Sequence, residues 1–79
     1  MDRNFPYGLL VNVTIAELQR LRDKAEEATR KFGTKHRVVK QNEAVFFCFE
    51  KPGVAVLFEY YCLRNQIPCR RIGDGNWAR

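Results

Sequence analysis

Apolar residues along this chain change their spacing from segment to segment, and the spacing predicts the elements. Tyr7 to Val13 is a short, nearly continuous apolar stretch rich in strand formers, which predicts a buried first strand. Thr14 follows, with Glu17 three residues on. This is the pattern of a capping box, in which the Thr14 hydroxyl accepts from the Glu17 amide and the Glu17 carboxylate accepts in return from Thr14. Beyond it Leu18, Leu21, Ala25, Ala28 and Phe32 recur at steps of three and four, the helical period. Glu26/Arg30 and Glu27/Lys31 stand at i and i+4 with the carboxylate first, the favourable order. Gly33 supplies a residue that adopts the left-handed conformation ending a helix. The first helix is therefore expected over Ile15 to Phe32.

His36 to Lys40, with two adjacent valines, reads as a second strand, and Gln41-Asn42-Glu43 as a polar turn. Ala44 to Glu50 is the strongest strand signal; its alternation sets Val45, Phe47 and Phe49 on one face and Phe46 and Cys48 on the other. Val54 to Cys62 is ambiguous. It is β-branched and aromatic enough for the return strand of a hairpin. Pro52, however, suits the first position of a helix, Ala55, Phe58 and Cys62 keep helical spacing, and Asn65 can end a helix before Ile67-Pro68. The helix is the reading adopted. A last strand over Cys69 to Ile72 completes the order strand, helix, strand, strand, helix, strand. Two such split units make a single-domain ferredoxin-like α+β fold over residues 1–72, a four-stranded antiparallel sheet with both helices on one face, and right-handed crossovers leave few alternatives. Residues 73–79 are expected to form a flexible tail unless Trp77 docks.

Composition changes the picture in one place. The 79 residues are 46% hydrophobic and 29% charged, which fits one globular domain rather than a disordered segment. A domain of this length buries only roughly 60% of the surface its unfolded chain exposes. Yet Val45 to Leu63 crowds six of the ten aromatic residues and eight further apolar ones into one stretch, more than one small core readily hides. Glu50, Lys51 and Glu59 interrupt that stretch, so it cannot span a membrane. The first six residues lack the apolar segment of a secretory leader, and the cytoplasm is the expected compartment. Cys48, Cys62 and Cys69 contain no C-x-x-C and are expected to be reduced, largely buried thiols.

The net charge of +5 is unevenly placed. Arg30, Lys31, Lys35, His36, Arg37 and Lys40 form one cluster without an acidic residue among them, and Arg70-Arg71 form a second. Crowded like charges favour an anionic partner or simply a solvated surface. Catalysis finds little support. The only histidine, His36, has positive neighbours that disfavour its protonation, and no third residue is signalled to orient a Cys-His pair. No metal-ligand spacing or phosphate-binding glycine loop is present, and no cofactor is expected.

The third strand followed by a Pro-initiated helix resembles the RNA-recognition motif in layout. That family's third-strand motif begins with a basic residue and glycine, then places aromatics at two alternating positions. With Phe49 ending the motif, this chain has Asn42-Glu43 at the start and Ala44 at the first aromatic position, leaving Phe46 as the single stacking ring; in the first strand the aromatic position falls on Leu9. The likeness covers about a third of the chain and is one of layout, not of membership. One ring among cations can nonetheless stack a base and hold phosphates. Arg71 would join Phe46 and Cys48 on the open sheet face if Ile72 points inward, and His36 and Lys40 would join if Val39 does.

The second helix points elsewhere. Ala55, Phe58 and Cys62 make one apolar stripe, and Val56, Tyr60 and Leu63 make another on the opposite side, with Leu57 and Tyr61 between. A helix packed on one sheet buries one stripe, and the second is then exposed unless the helix is sunk between the sheet and the first helix. The leading expectation is a non-catalytic module that binds a protein partner or itself through Val56, Tyr60 and Leu63, or through the open sheet face around Phe46. The alternative is single-stranded nucleic-acid binding through Phe46 and the cations of the two basic clusters.

Overall fold

A computed structural model of the chain describes residues 4–42, 44–72 and 77. Its elements are β1 (Tyr7–Val11), α1 (Ile15–Lys31), β2 (His36–Gln41), β3 (Ala44–Phe49), α2 (Pro52–Arg64) and β4 (Cys69–Ile72). The strands pair antiparallel in the order β2-β3-β1-β4, with β3 and β1 central and β2 and β4 at the edges. With two helices covering one face, this is the ferredoxin-like fold. Among the described residues no helix is long and apolar enough to cross a membrane.

Local chemistry sets the helix ends. The Thr14–Glu17 capping box forms, with the Glu17 amide donating to Thr14 Oγ1 at 3.3 Å and the Thr14 amide donating to Glu17 Oε1 at 3.2 Å. At the other end Gly33 takes φ +64, and the Thr34 amide donates to the Thr29 carbonyl at 2.9 Å, the longer bond of a Schellman turn. The helix stops one residue short of expectation: Phe32 is the cap, its amide still donating to the Ala28 carbonyl at 3.2 Å, and it is half exposed. The buried stripe of α1 runs through Leu21, Ala25 and Thr29. Of the two expected i,i+4 pairs, Glu26–Arg30 forms at 3.9 Å, whereas Glu27 turns to Lys24 at 3.6 Å and Lys31 lies over the Phe32 ring.

The ambiguous segment is a helix. Pro52 occupies its first turn, where a missing amide hydrogen leaves no bond unmade. The Asn65 side chain donates to the Tyr61 carbonyl at 2.8 Å, and Gln66 takes φ +58 while the Ile67 amide closes on the Cys62 carbonyl at 2.8 Å. That is a second Schellman turn, built without glycine.

The core lies between the sheet and the helices. Leu9 and Val11 of β1 and Val45, Phe47 and Phe49 of β3 meet Leu21 and Ala25 of α1 and Val54, Ala55, Phe58 and Cys62 of α2. Phe58 sits at its centre, its ring centroid 4.7 Å from that of Phe47 and 5.2 Å from that of Phe49. Alternation along the strands then defines the opposite, open face. One row across it reads Val39, Phe46, Leu10, Arg70, and the next Arg37, Cys48, Gly8, Ile72. Gly8 has no room for a side chain there, because a Cβ would come within 3.0 Å of Ile72 Cγ1.

Glu43 of the expected turn lies outside the described residues, as do residues 73–76 and 78–79 of the expected tail. Trp77 is described and docks: its ring meets Tyr7 edge-on at 5.8 Å, and the Arg71 guanidinium lies over it at 4.4 Å.

Candidate functional site

At roughly 100° per residue, Val56, Leu57, Tyr60, Leu63 and Arg64 fall within an arc of about 120° on α2. The buried residues Val54, Ala55, Phe58 and Cys62 occupy the arc opposite. The helix thus has two apolar faces and only one core to bury them in. Val56, Leu57, Tyr60 and Leu63 remain 37%, 48%, 59% and 61% exposed, and Phe32 at the end of α1 is 54% exposed. The helix is not sunk between the sheet and α1. Its second stripe faces outward, and Leu57 and Phe32 extend that surface beyond the three residues singled out by spacing.

Glu59 explains why so little negative charge interrupts it. This sole carboxylate of α2 turns toward β4 and takes a bidentate contact from Arg71, Nε–Oε2 3.0 Å and Nη2–Oε1 2.8 Å. Hydrogen bonding to Glu59 holds the Arg71 guanidinium above its ordinary pKa. Arg71 is therefore committed to Glu59 and Trp77 on the helix side of the sheet.

The remaining basic candidates are dispersed. Ile72 and Val39 both point to the open face, so Arg71, His36 and Lys40 do not join Phe46 there; Arg37 and Arg70 do, at opposite edges of the sheet. Arg30 pairs with Glu26 on α1. Lys31 belongs to the α1–α2 side, and Lys35 precedes β2 in an exposed position. Phe46, half buried, borders a shallow depression with Leu10, Ala44, Pro68 and Arg70. Leu9, the position of the RNA-recognition layout in β1, is fully buried against the helices.

Among the described residues no thiol–imidazole pair forms. His36 faces α1 from edge strand β2, while Cys48 points to the other face and Cys69 stands on the opposite edge. Burial pushes the Cys62 thiol up to about 12, with the neighbouring Cys69 thiol and Glu59 adding to the effect. Cys69 is raised by burial as well. Such thiols are poor nucleophiles at neutral pH.

His36 has a structural role. The Thr29 hydroxyl lies within hydrogen-bond distance of the Ala25 carbonyl at 2.9 Å, the Glu26 carbonyl at 3.1 Å and His36 Nδ1 at 3.2 Å, the roles of the last pair set by the imidazole tautomer. The imidazole also stacks on Phe49 at 6.1 Å. Burial lowers its pKa, with Glu26 pulling the other way; the positive neighbours are not the cause. Because the folded chain favours the neutral ring, the unfolded chain takes up a proton first as pH falls. The stability associated with neutral His36 is complete above the ordinary value of 6.5 and declines below it. Urea midpoints should therefore fall between about pH 7.5 and about pH 5.5, and His36→Gln should flatten that slope. An unchanged slope in the variant would assign it to other groups.

No protein-family model matches the chain, and no curated protein matches its sequence.

Proposed function

We propose that this chain is a non-catalytic interaction module that binds a protein partner through the outward face of α2, with Val56, Tyr60 and Leu63 as anchors. The observation that carries the reading is the second apolar stripe: four large side chains on one helix, each at least 37% exposed, continuous with Phe32. Contiguous exposed apolar area of this kind commonly marks an interface, and large aromatic and aliphatic anchors dominate interface energetics. The partner is another protein or a second copy of this chain.

The test is light scattering on the purified chain, with partner binding by peptides as the second arm. Tyr60→Ala plus Leu63→Ala should shift the unfolding free energy by no more than about 1 kcal/mol, as for surface positions. The same double variant should abolish self-association or peptide binding. Loss of the fold instead would place these residues in the core and end the proposal.

A second reading rests on the open face, where Phe46 borders the same shallow depression as Arg70, a ring and a cation suited to single-stranded nucleic acid. Co-eluting nucleic acid that high salt removes would favour it.

A further inference from the structure

The outward face of α2 continues into a groove against α1 whose rim is cationic. Its apolar lining comes from Phe32 and Ala28 of α1 and Leu57, Tyr60 and Tyr61 of α2. Lys24, Lys31 and Arg64 stand around it, each over an aromatic ring. Lys24 Nζ lies 5.1 Å from the Tyr61 centroid, Lys31 Nζ 5.8 Å from Phe32, and Arg64 Cζ 5.7 Å from Tyr60. Glu27 is the one carboxylate in the lining, and it is held by Lys24 at 3.6 Å. Among the described residues neither Lys31 nor Arg64 has a carboxylate within ion-pair distance. The other acid that could have offset this charge, Glu59, is taken by Arg71 on the far flank of α2.

We infer that the occupant of this groove is an acidic amphipathic segment of another protein, with large apolar side chains on the groove floor and Asp or Glu against Lys31 and Arg64. The inference rests on the protein-binding reading above and specifies the chemistry of the partner. Charge decides between the two occupants left open there. A symmetric contact between two copies places the same patch on itself. The net-positive rims of the two copies, Lys31 and Arg64 included, would then be brought together, and like-charge juxtaposition across an interface costs several kcal/mol. An acidic segment turns the same residues into attractive contacts, and the rings beneath the cations leave them oriented across the rim. The apolar floor supplies affinity, and the rim supplies selection.

The experiment is a selection from a displayed library of random peptides against the immobilised full chain, followed by binding measurements on the enriched sequences as synthetic peptides. Enriched peptides should be net negative and carry at least two large apolar residues. Their affinity should fall with salt, and roughly tenfold or more on Lys31→Glu plus Arg64→Glu, as expected for reversed interface charge. Neutral or basic peptides that are lost on Tyr60→Ala plus Leu63→Ala would overturn the charge assignment while leaving the protein-binding reading intact. A dimer that buries α2 and yields no enriched peptide would overturn the acidic partner in favour of self-association. No enriched peptide from a chain that stays monomeric, or adhesion to anionic vesicles alone, would overturn both readings.

Discussion

Phe58→Ala should remove a large share of the chain's stability. Its ring is wedged against both Phe47 and Phe49 from the middle of α2, and all three are essentially inaccessible to solvent. Truncating a buried phenylalanine costs about 3–5 kcal/mol, part transfer and part residual cavity. Small domains have only about 5–15 kcal/mol in total. At roughly 4–8 °C per kcal/mol for a chain of this length, the midpoint should drop by more than ten degrees. Thermal unfolding followed by near-ultraviolet circular dichroism would report it. A loss within about 1 kcal/mol, ordinary for surface sites, would remove Phe58 from the centre of the core.

The second large effect separates neighbours. Ala55→Asp should unfold the chain, whereas Val56→Asp and Leu57→Asp should be tolerated. Ala55 is fully buried at the contact of α2 with the sheet, while Val56 and Leu57 look outward. An unpaired carboxylate at position 55 must leave water or take up a proton, at a cost of several kcal/mol. On the outer face the same carboxylate stays hydrated and costs about 1 kcal/mol or less. Were the segment a strand, alternation would place Ala55 and Leu57 on one face and give those two variants the same fate. Denaturant midpoints of the three variants therefore test the orientation of α2 as well as its burial.

That segment also shows why some of the fold is legible in the residues and some is not. α1 announces itself at both ends, with Thr14 and Glu17 at the start and Gly33 at the stop, and between them one clear apolar stripe. α2 carries apolar residues on two opposite faces, so no single period stands out; Pro52 at the first turn and Asn65 at the last identify it. Strand faces were readable where burial is complete. Val45, Phe47 and Phe49 alternate cleanly because β3 is central. On edge strands β2 and β4 the pattern blurs. Val38 and Val39 are equally apolar, and only the pairing with Phe47 and Phe46 shows that Val38 turns in and Val39 out. Arg70, Arg71 and Ile72 pose the same problem, resolved by the bond from Arg71 to Glu59.

The outward stripe of α2 could be counted off along the helix. Its extension could not. Phe32 continues the spacing of the α1 stripe, yet it stands 54% exposed at the end of the helix, which spacing alone does not show. The rim of Lys24, Lys31 and Arg64 exists only once α1 and α2 lie side by side, since spacing within either helix says nothing of the other.

The strand order has a consequence for how copies of this chain avoid one another. An open sheet ends in strands whose backbone groups can template a neighbouring chain, the first step toward fibres. Here both terminal positions are short strands, β2 with six residues and β4 with four. Part of the basic charge falls on them: Arg37 and Lys40 on β2 and Arg70 on β4, with Arg71 already paired to Glu59. Growth by adding like strands side by side would stack these cations against their own counterparts, so the crowding of positive charge acts as a gatekeeper against aggregation whether or not any ligand is bound.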